Sequence, residues 1–396
     1  MSWKRYVHSV HSGITLKVSH SRLYFRRERT AMRSCLLYVC AAFTFFGVFS
    51  SCTAKTKSIE LPPGFHLSIF TDEVEGARQM ALGDQGTVFV GTRSRGVVYA
   101  VREGQSNSAP QVLIIARGLN MPSGVTYKDG ALYVAAVNQI LRYDDIEAHL
   151  ERPPKPVVIT DQLPKDTHHG WKYIRFGPDG FLYVPVGMPC NICRPEDPRY
   201  GSILKMDVKT GEAEVFAHGV RNSVGFDWHP RTKTLWFTDN GQDWLGDDLP
   251  PEELNHAPES GMHFGFPFVY GQNIPNPEYA KSNLQGQFTP PAFQMQAHTA
   301  PLGLLFYTGA QFPEKYQQAL FIAQHGSWNR SSKVGYQIRV VWPENALDIQ
   351  SEVFAKGWLV DQRATGRPVA FLQMEDGSLL LSDDHAGTIY RISYSK

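Results

Sequence analysis

Apolar residues recur along this chain in short runs, and six segments share one design: 84-DQGTVFVGT-92, 128-KDGALYVAAV-137, 178-PDGFLYVPVG-187, 230-PRTKTLWFTDNG-241, 315-KYQQALFIAQHG-326 and 375-EDGSLLLSDD-384. In each, a polar turn leads into a strand of about five residues carrying aliphatics and aromatics. Asp-Gly marks three of the turns, a strong hairpin signal. The starts are separated by 44, 50, 52, 85 and 60 residues. One hairpin per unit at that period predicts an all-β fold, a six-bladed β-propeller with four-stranded antiparallel blades. A β-sandwich array is the alternative, but it does not need a shared strand motif at this period. The long fourth interval contains the loop-rich stretch 245–283, whose aromatics predict a functional excursion on the top face.

Composition fits this reading. Charged residues make up only 19%, while 34 glycines, 26 prolines and 12% aromatics suit short strands and tight turns better than helical bundles. A hydrophobic content of 42% supports a core of domain size.

The N-terminus stands apart. Residues 36-LLYVCAAFTFFGVF-49 form an apolar run of 14, preceded by Arg33 and followed by small residues and Cys52. A charge, a short apolar run and small residues make a secretory signal pattern. Cys52 stands where a bacterial lipoprotein carries its lipid, although Phe49 occupies a place where an aliphatic residue is usual. Met32 offers an internal translation start. The expected organisation is a signal segment over 1–51, a linker over 52–60 and a single propeller over 61–396. The expected location is periplasmic or at the cell surface, with a lipid anchor to the membrane through Cys52. Residues 1–51 hold eight Lys/Arg and one acid, which leaves 31 basic and 37 acidic residues, a net charge of −6. A mildly acidic body argues against nucleic acid as a partner.

In a propeller, residues just before and after the repeated strands face one another across the central channel. The polar groups there are His168 and His169, 221-RNSVGF-226, 239-DNGQDWLGDD-248, 298-HTAP-301, 325-HGSWNR-330 and 363-RATGRP-368. Singly, each reads as a turn or a surface pair. Together, histidines, arginines and amides on five blades form a cationic, hydrogen-bonding bowl suited to an anionic, planar or polyhydroxylated guest.

These strings, in this order and with 168-HHGWKYIRFGPDG-180, resemble the glucose/sorbosone dehydrogenase family over most of residues 58–396. The sorbosone-dehydrogenase-like branch also carries the P-C-N-x-C seen at 189–193. The resemblance implies a six-bladed propeller using pyrroloquinoline quinone (PQQ) and calcium to oxidise a sugar or sugar aldehyde, with electrons passing to an external acceptor. It implies His169 as general base, with His168 as its possible substitute, since a neutral imidazole suits proton abstraction near working pH. Arg221 and Asn222 match the pair beside the quinone. Arg330 and Arg367 are implied as clamps for cofactor carboxylates, with Asn240, His325 and Trp328 around the ring. The backbone carbonyls of Gly241 and Gln242 match the calcium ligands, hard oxygen donors as that ion requires. The chain departs from the glucose dehydrogenase pattern at Met188, where an Asp would orient the base, and at Val224, where a Gln is expected. The base is then oriented by another group, Asp247 or Asp248, or less strongly, which argues against glucose as the substrate.

Cys190 and Cys193 lack the second pair a structural zinc site needs and the βαβ setting of a redox motif, so a local disulfide is expected in an exported chain. Two other functions compete. One is a calcium-dependent lactonase or esterase with Asn222, Asn240 and Asp239 on the metal. The other is a non-catalytic, lipid-tethered propeller using the 242–283 excursion as its recognition surface.

Overall fold

The computed structural model describes residues 59–104, 108–279, 288–343 and 349–396. The signal segment and Cys52 lie outside these residues. Six four-stranded antiparallel sheets follow one another along the chain. The first blade is Ala77–Leu82, Val88–Thr92, Val98–Arg102 and Gln111–Ala116. The second is Gly124–Lys128, Ala131–Ala135, Ile140–Tyr143 and Val157–Thr160. Arg175–Phe176, Leu182–Val186, Ser202–Met206 and Ala213–His218 form the third. The fourth is Phe226–Trp228, Leu235–Asp239, Glu252–Ala257 and Phe293–Met295. The fifth is Pro301–Phe306, Leu320–Gln324, Gln337–Trp342 and Gln350–Lys356.

The sixth blade closes the ring. Pro368–Gln373, Leu379–Asp383 and Thr388–Tyr394 take Phe65–Thr71, from the start of the described chain, as their outermost strand. Phe65 pairs with Tyr394, and its ring sits edge-on to Phe312, Tyr316 and Phe354 at 4.8–5.2 Å. Pairing the two chain ends removes an unsatisfied strand edge and buries an aromatic anchor at the same point.

The six repeated motifs are the second strand of each blade, and every residue in those strands is buried. Each is hydrogen-bonded on both sides and covered on both faces by neighbouring blades, which explains its continuous apolar character. The Asp-Gly signal is explicit at 129–130. Lys128 pairs directly with Ala131, and both turn residues have positive φ (50° and 80°), as a primed two-residue turn requires.

The long excursion differs from expectation. Met262–His263 pairs parallel to the outer strand of the third blade, giving that sheet a fifth strand. Its aromatics Phe264, Phe266 and Phe268 are buried, with Phe264 edge-on to Phe237. These three rings are packing residues, whereas Trp244 in the same stretch is 70% exposed and lies edge-on to Trp328.

Candidate active site

One end of the channel opens into a cavity of about 530 Å³. Two kinds of position build its wall. Arg93, Gly241 and His325 lie just past second strands, where the chain leaves a buried strand and turns back. His169, Arg221, Asn222 and Arg367 lie just ahead of inner strands. The fold therefore aims residues from separate blades at one space, while each blade stays rigid behind them.

His169 is held in a left-handed conformation (φ 50°) and is buried. Its Nδ1–H donates to the backbone carbonyl of Met188 at 2.9 Å. A carbonyl can only accept, so the proton sits on Nδ1 and the lone pair on Nε2. Gly187 permits this approach: a Cβ there would lie 2.6 Å from the Cβ of His169 and 2.8 Å from its carbonyl oxygen. Burial first, then Arg221 and His168, drives the imidazole pKa down to about 2. The ring of His168 lies 4.1 Å away, at the cavity surface, its pKa also lowered by burial and Arg221. The expected orienting role of Asp247 and Asp248 is corrected here. Asp247 bonds Ser331 and Arg330, and Asp248 bonds Arg330, so neither reaches His169.

The arginines differ in how far their donors are spent. Arg221 uses Nε and Nη2 on Asn191, Nη1 on the carbonyl of Asn240, and pairs with Asp243 at 3.3 Å. Arg367 anchors Nε and Nη2 on the carbonyls of His325 and Gly326. Arg78 pairs with Asp384 at 2.8 Å, and the other Asp384 oxygen meets His325 Nε2 at 2.8 Å. That carboxyl is held far below its usual range by His325 and Arg78, against the opposing effect of burial, and burial lowers His325 to about 4. Arg93 is different: its guanidinium stacks on Trp171 at 3.8 Å and makes no hydrogen bond or ion pair among the described residues. Trp171 Nε1 and Asn329 Nδ2 are donors without partners among the described residues, but both atoms are themselves shielded from the cavity surface. A mostly cationic bowl with an unspent Arg93 guanidinium calls for a guest rich in acceptors.

Arg330, expected in the site, does not line the cavity, because its guanidinium pins the 247–248 turn. Gln242 is expected to act through its main-chain carbonyl, and its side chain turns away to accept from Asn276 Nδ2 at 2.7 Å. Gly241 does line the cavity, and its N–H donates to Glu252 at 2.7 Å. The other Glu252 oxygen accepts from the Ala300 N–H, and burial raises this carboxyl to about 7. Asn222 and Asn240 line the wall, with the Asn240 amide bonded to the Asn222 carbonyl at 2.8 Å. Trp328 sits at the rim, 62% exposed and edge-on to Trp244 at 5.2 Å. Asp239 is not free for a lactonase-type metal site: its two oxygens accept from the N–H groups of Arg221 and Asn222 at 2.7 and 2.6 Å. Among the described residues, no three His, Cys, Asp or Glu side chains are grouped to hold a metal ion.

Arg78, Arg93, Trp171, Glu252 and Asp384 were not anticipated. Arg93 and Asp384 directly follow the repeated strands of the first and last blades, the same positions that pointed to the site elsewhere. Cys190 and Cys193 form the expected disulfide, with Cα atoms 6.1 Å apart.

Residues 137–327 match the family model described as glucose/sorbosone dehydrogenase. An uncharacterized protein of Borreliella burgdorferi is 36% identical over 362 residues, which is 86% of this chain and 92% of that protein. The aldose sugar dehydrogenase YliI of Escherichia coli strain K12 is 28% identical over 186 residues, 41% of this chain and 47% of its own length. Among solved structures, the holo form of the pyranose dehydrogenase PQQ domain from Coprinopsis cinerea superposes with a TM-score of 0.69 at 16% identity, over 85% of this chain and 97% of that one. At that identity the likeness concerns the fold.

Proposed function

The chain belongs to the glucose/sorbosone dehydrogenase family, and we propose that it is a PQQ- and calcium-dependent dehydrogenase that oxidises an aldose or a sorbosone-like sugar aldehyde. The observation that carries this reading is the convergence of Arg93, Arg221 and Arg367 on the cavity that His169 lines, the Arg93 guanidinium having no hydrogen-bond or ion-pair partner among the described residues. A planar tricarboxylate fits such a lining, since its carboxylates offer acceptors to these guanidinium groups. Calcium fits the oxygen donors near Gly241 and Glu252. With no side-chain cluster among the described residues to hold the ion, the main-chain carbonyls of Gly241 and Gln242 and the cofactor itself would complete its shell.

When bound, the quinone supplies the hydride acceptor and calcium polarises its carbonyl. The chain does the rest. His169 takes the proton of the substrate hydroxyl at Nε2, its tautomer fixed by Met188. Arg93 and Arg367 hold carboxylates. The Arg78–Asp384 ion pair, extended by the hydrogen bond to His325, fixes this part of the wall. Trp328, at the rim, presents a flat apolar face to a sugar ring. Export as a lipoprotein is part of the proposal, supported by the signal-like segment 36–52 and by the Cys190–Cys193 disulfide, a bond typical of oxidising compartments. Dye reduction by the PQQ- and calcium-loaded protein with a panel of aldoses and sugar aldehydes tests the activity. Turnover of a sugar supports it; hydrolysis of lactones without quinone, and no dye reduction, overturns it.

A further inference from the structure

We propose that Asn191, fixed in the loop closed by the Cys190–Cys193 disulfide, is a positioning residue that sets Arg221, and through it both the base and the segment carrying Gly241. Asn191 lies between the two cysteines and makes four bonds toward the cavity wall. Its carbonyl accepts from Arg221 Nε at 2.9 Å. Its Oδ1 accepts from Arg221 Nη2 and from the Asp243 N–H, both at 2.8 Å. Its Nδ2 donates to the Asp243 carbonyl at 3.1 Å. The side-chain amide thus pairs with residue 243 as a peptide group would, while the same residue grips the guanidinium.

The consequences follow from burial. Arg221 is only 3% exposed, and Asn191 satisfies two of its three donor nitrogens. Removing the Asn191 side chain leaves Nη2 only the longer bond to Asp243 at 3.3 Å, and freeing the loop also withdraws the carbonyl from Nε, either of which costs a buried cation dearly. The Arg221 backbone carbonyl accepts from the Met188 N–H at 2.8 Å, and the Met188 carbonyl orients His169. Asp243 is two residues from Gly241. One short loop therefore controls the base and the 241–243 segment together. Ordering a free loop for these bonds costs conformational entropy, which the disulfide removes in advance. The cysteines thus act on the site without touching any ligand.

The test uses the full chain, comparing wild type with Asn191→Ala, Asn191→Asp and the double variant Cys190→Ser/Cys193→Ser. Its first arm needs no ligand. Amide exchange over 188–193, 221–222 and 240–245 is expected to quicken by about tenfold in Asn191→Ala and in the double variant, with the blade strands unchanged. Unaltered exchange in those segments overturns the proposal whether or not the quinone binds. The second arm rests on the quinone reading and titrates PQQ with calcium. Affinity is expected to fall by about tenfold or more in Asn191→Ala and the double variant. Asn191→Asp keeps acceptors for Arg221 and for the Asp243 N–H, and is expected to stay within about threefold of wild type. Equal loss in Asn191→Asp and Asn191→Ala overturns the acceptor argument. If wild type binds no PQQ, the functional reading fails, while the exchange arm still decides the positioning role.

Discussion

His169 donates its Nδ1–H to the backbone carbonyl of Met188 at 2.9 Å, where a carboxylate would otherwise be expected to orient the base. The difference is electrostatic. A carboxylate would fix the tautomer and also raise the imidazole pKa, whereas a carbonyl fixes the tautomer and adds no charge. The imidazole therefore stays neutral across the working range with its lone pair on Nε2, and the same burial makes it a weaker base than a free imidazole.

Replacing His169 by Ala is expected to cut turnover by about 10²- to 10⁴-fold while PQQ affinity stays within about threefold. His168→Ala is expected to lose about tenfold or less, because its ring borders the base without holding its tautomer. Dye-reduction rates at saturating sugar, with a parallel quinone titration, check both. The opposite ranking assigns the base to His168.

Arginine substitutions should separate cavity from scaffold. Arg93→Ala and Arg367→Ala are each expected to weaken PQQ binding by about 10- to 100-fold, the range for a charge-assisted hydrogen bond in a partly enclosed site. Arg330→Ala is expected to change affinity by about threefold or less, since its guanidinium serves the 247–248 turn. Equilibrium titrations of the three variants decide this.

Glu253 gives a stability test independent of catalysis. Its carboxyl is buried and raised to about 8, by burial first and then by Asp239. A raised folded-state pKa means the native state binds more protons than the unfolded chain. The resulting stability is present below the ordinary carboxyl pKa and is lost as pH rises through about 8. Glu253→Gln removes the charge and keeps an acceptor for the Gly271 N–H. Its new amide can donate to Asn255 Oδ1, a buried acceptor that now lacks a partner. The variant is expected to melt about 5 °C above wild type at pH 9, with the gap closing toward pH 4.5. A pH-independent difference contradicts this origin.

Much of the fold was legible because the second strand of each blade is buried on every side and must be apolar throughout. The other strands gave weaker signals for physical reasons. Arg175–Phe176 and Phe226–Trp228 are too short to show a period, and Val157–Thr160 exposes its valines at a blade edge. For the site, His169, Arg221, Asn222 and Arg367 were legible from their motifs and lie ahead of inner strands, whereas the rule of looking just past a repeated strand, which holds for Gly241 and His325, would have found Arg93 and Asp384 in the first and last blades. Order along the chain does not say which way a side chain turns. That is why Arg330 reads as a cavity residue although Asp247 and Asp248 hold its guanidinium outside. The role of Asn191 was also hidden, since it depends on Arg221 and Asp243 meeting one residue from a distant loop.

The central claim is that the cationic bowl around His169 binds PQQ, and absorbance titration of the purified protein with PQQ and calcium tests it most directly. The account predicts saturable binding of a single equivalent with a dissociation constant of about 10 μM or tighter, lost on chelation of calcium and restored by adding it back. Added sugar should then bleach the bound quinone. Folded protein that leaves the quinone spectrum unchanged at about 100 μM, with calcium present, contradicts it.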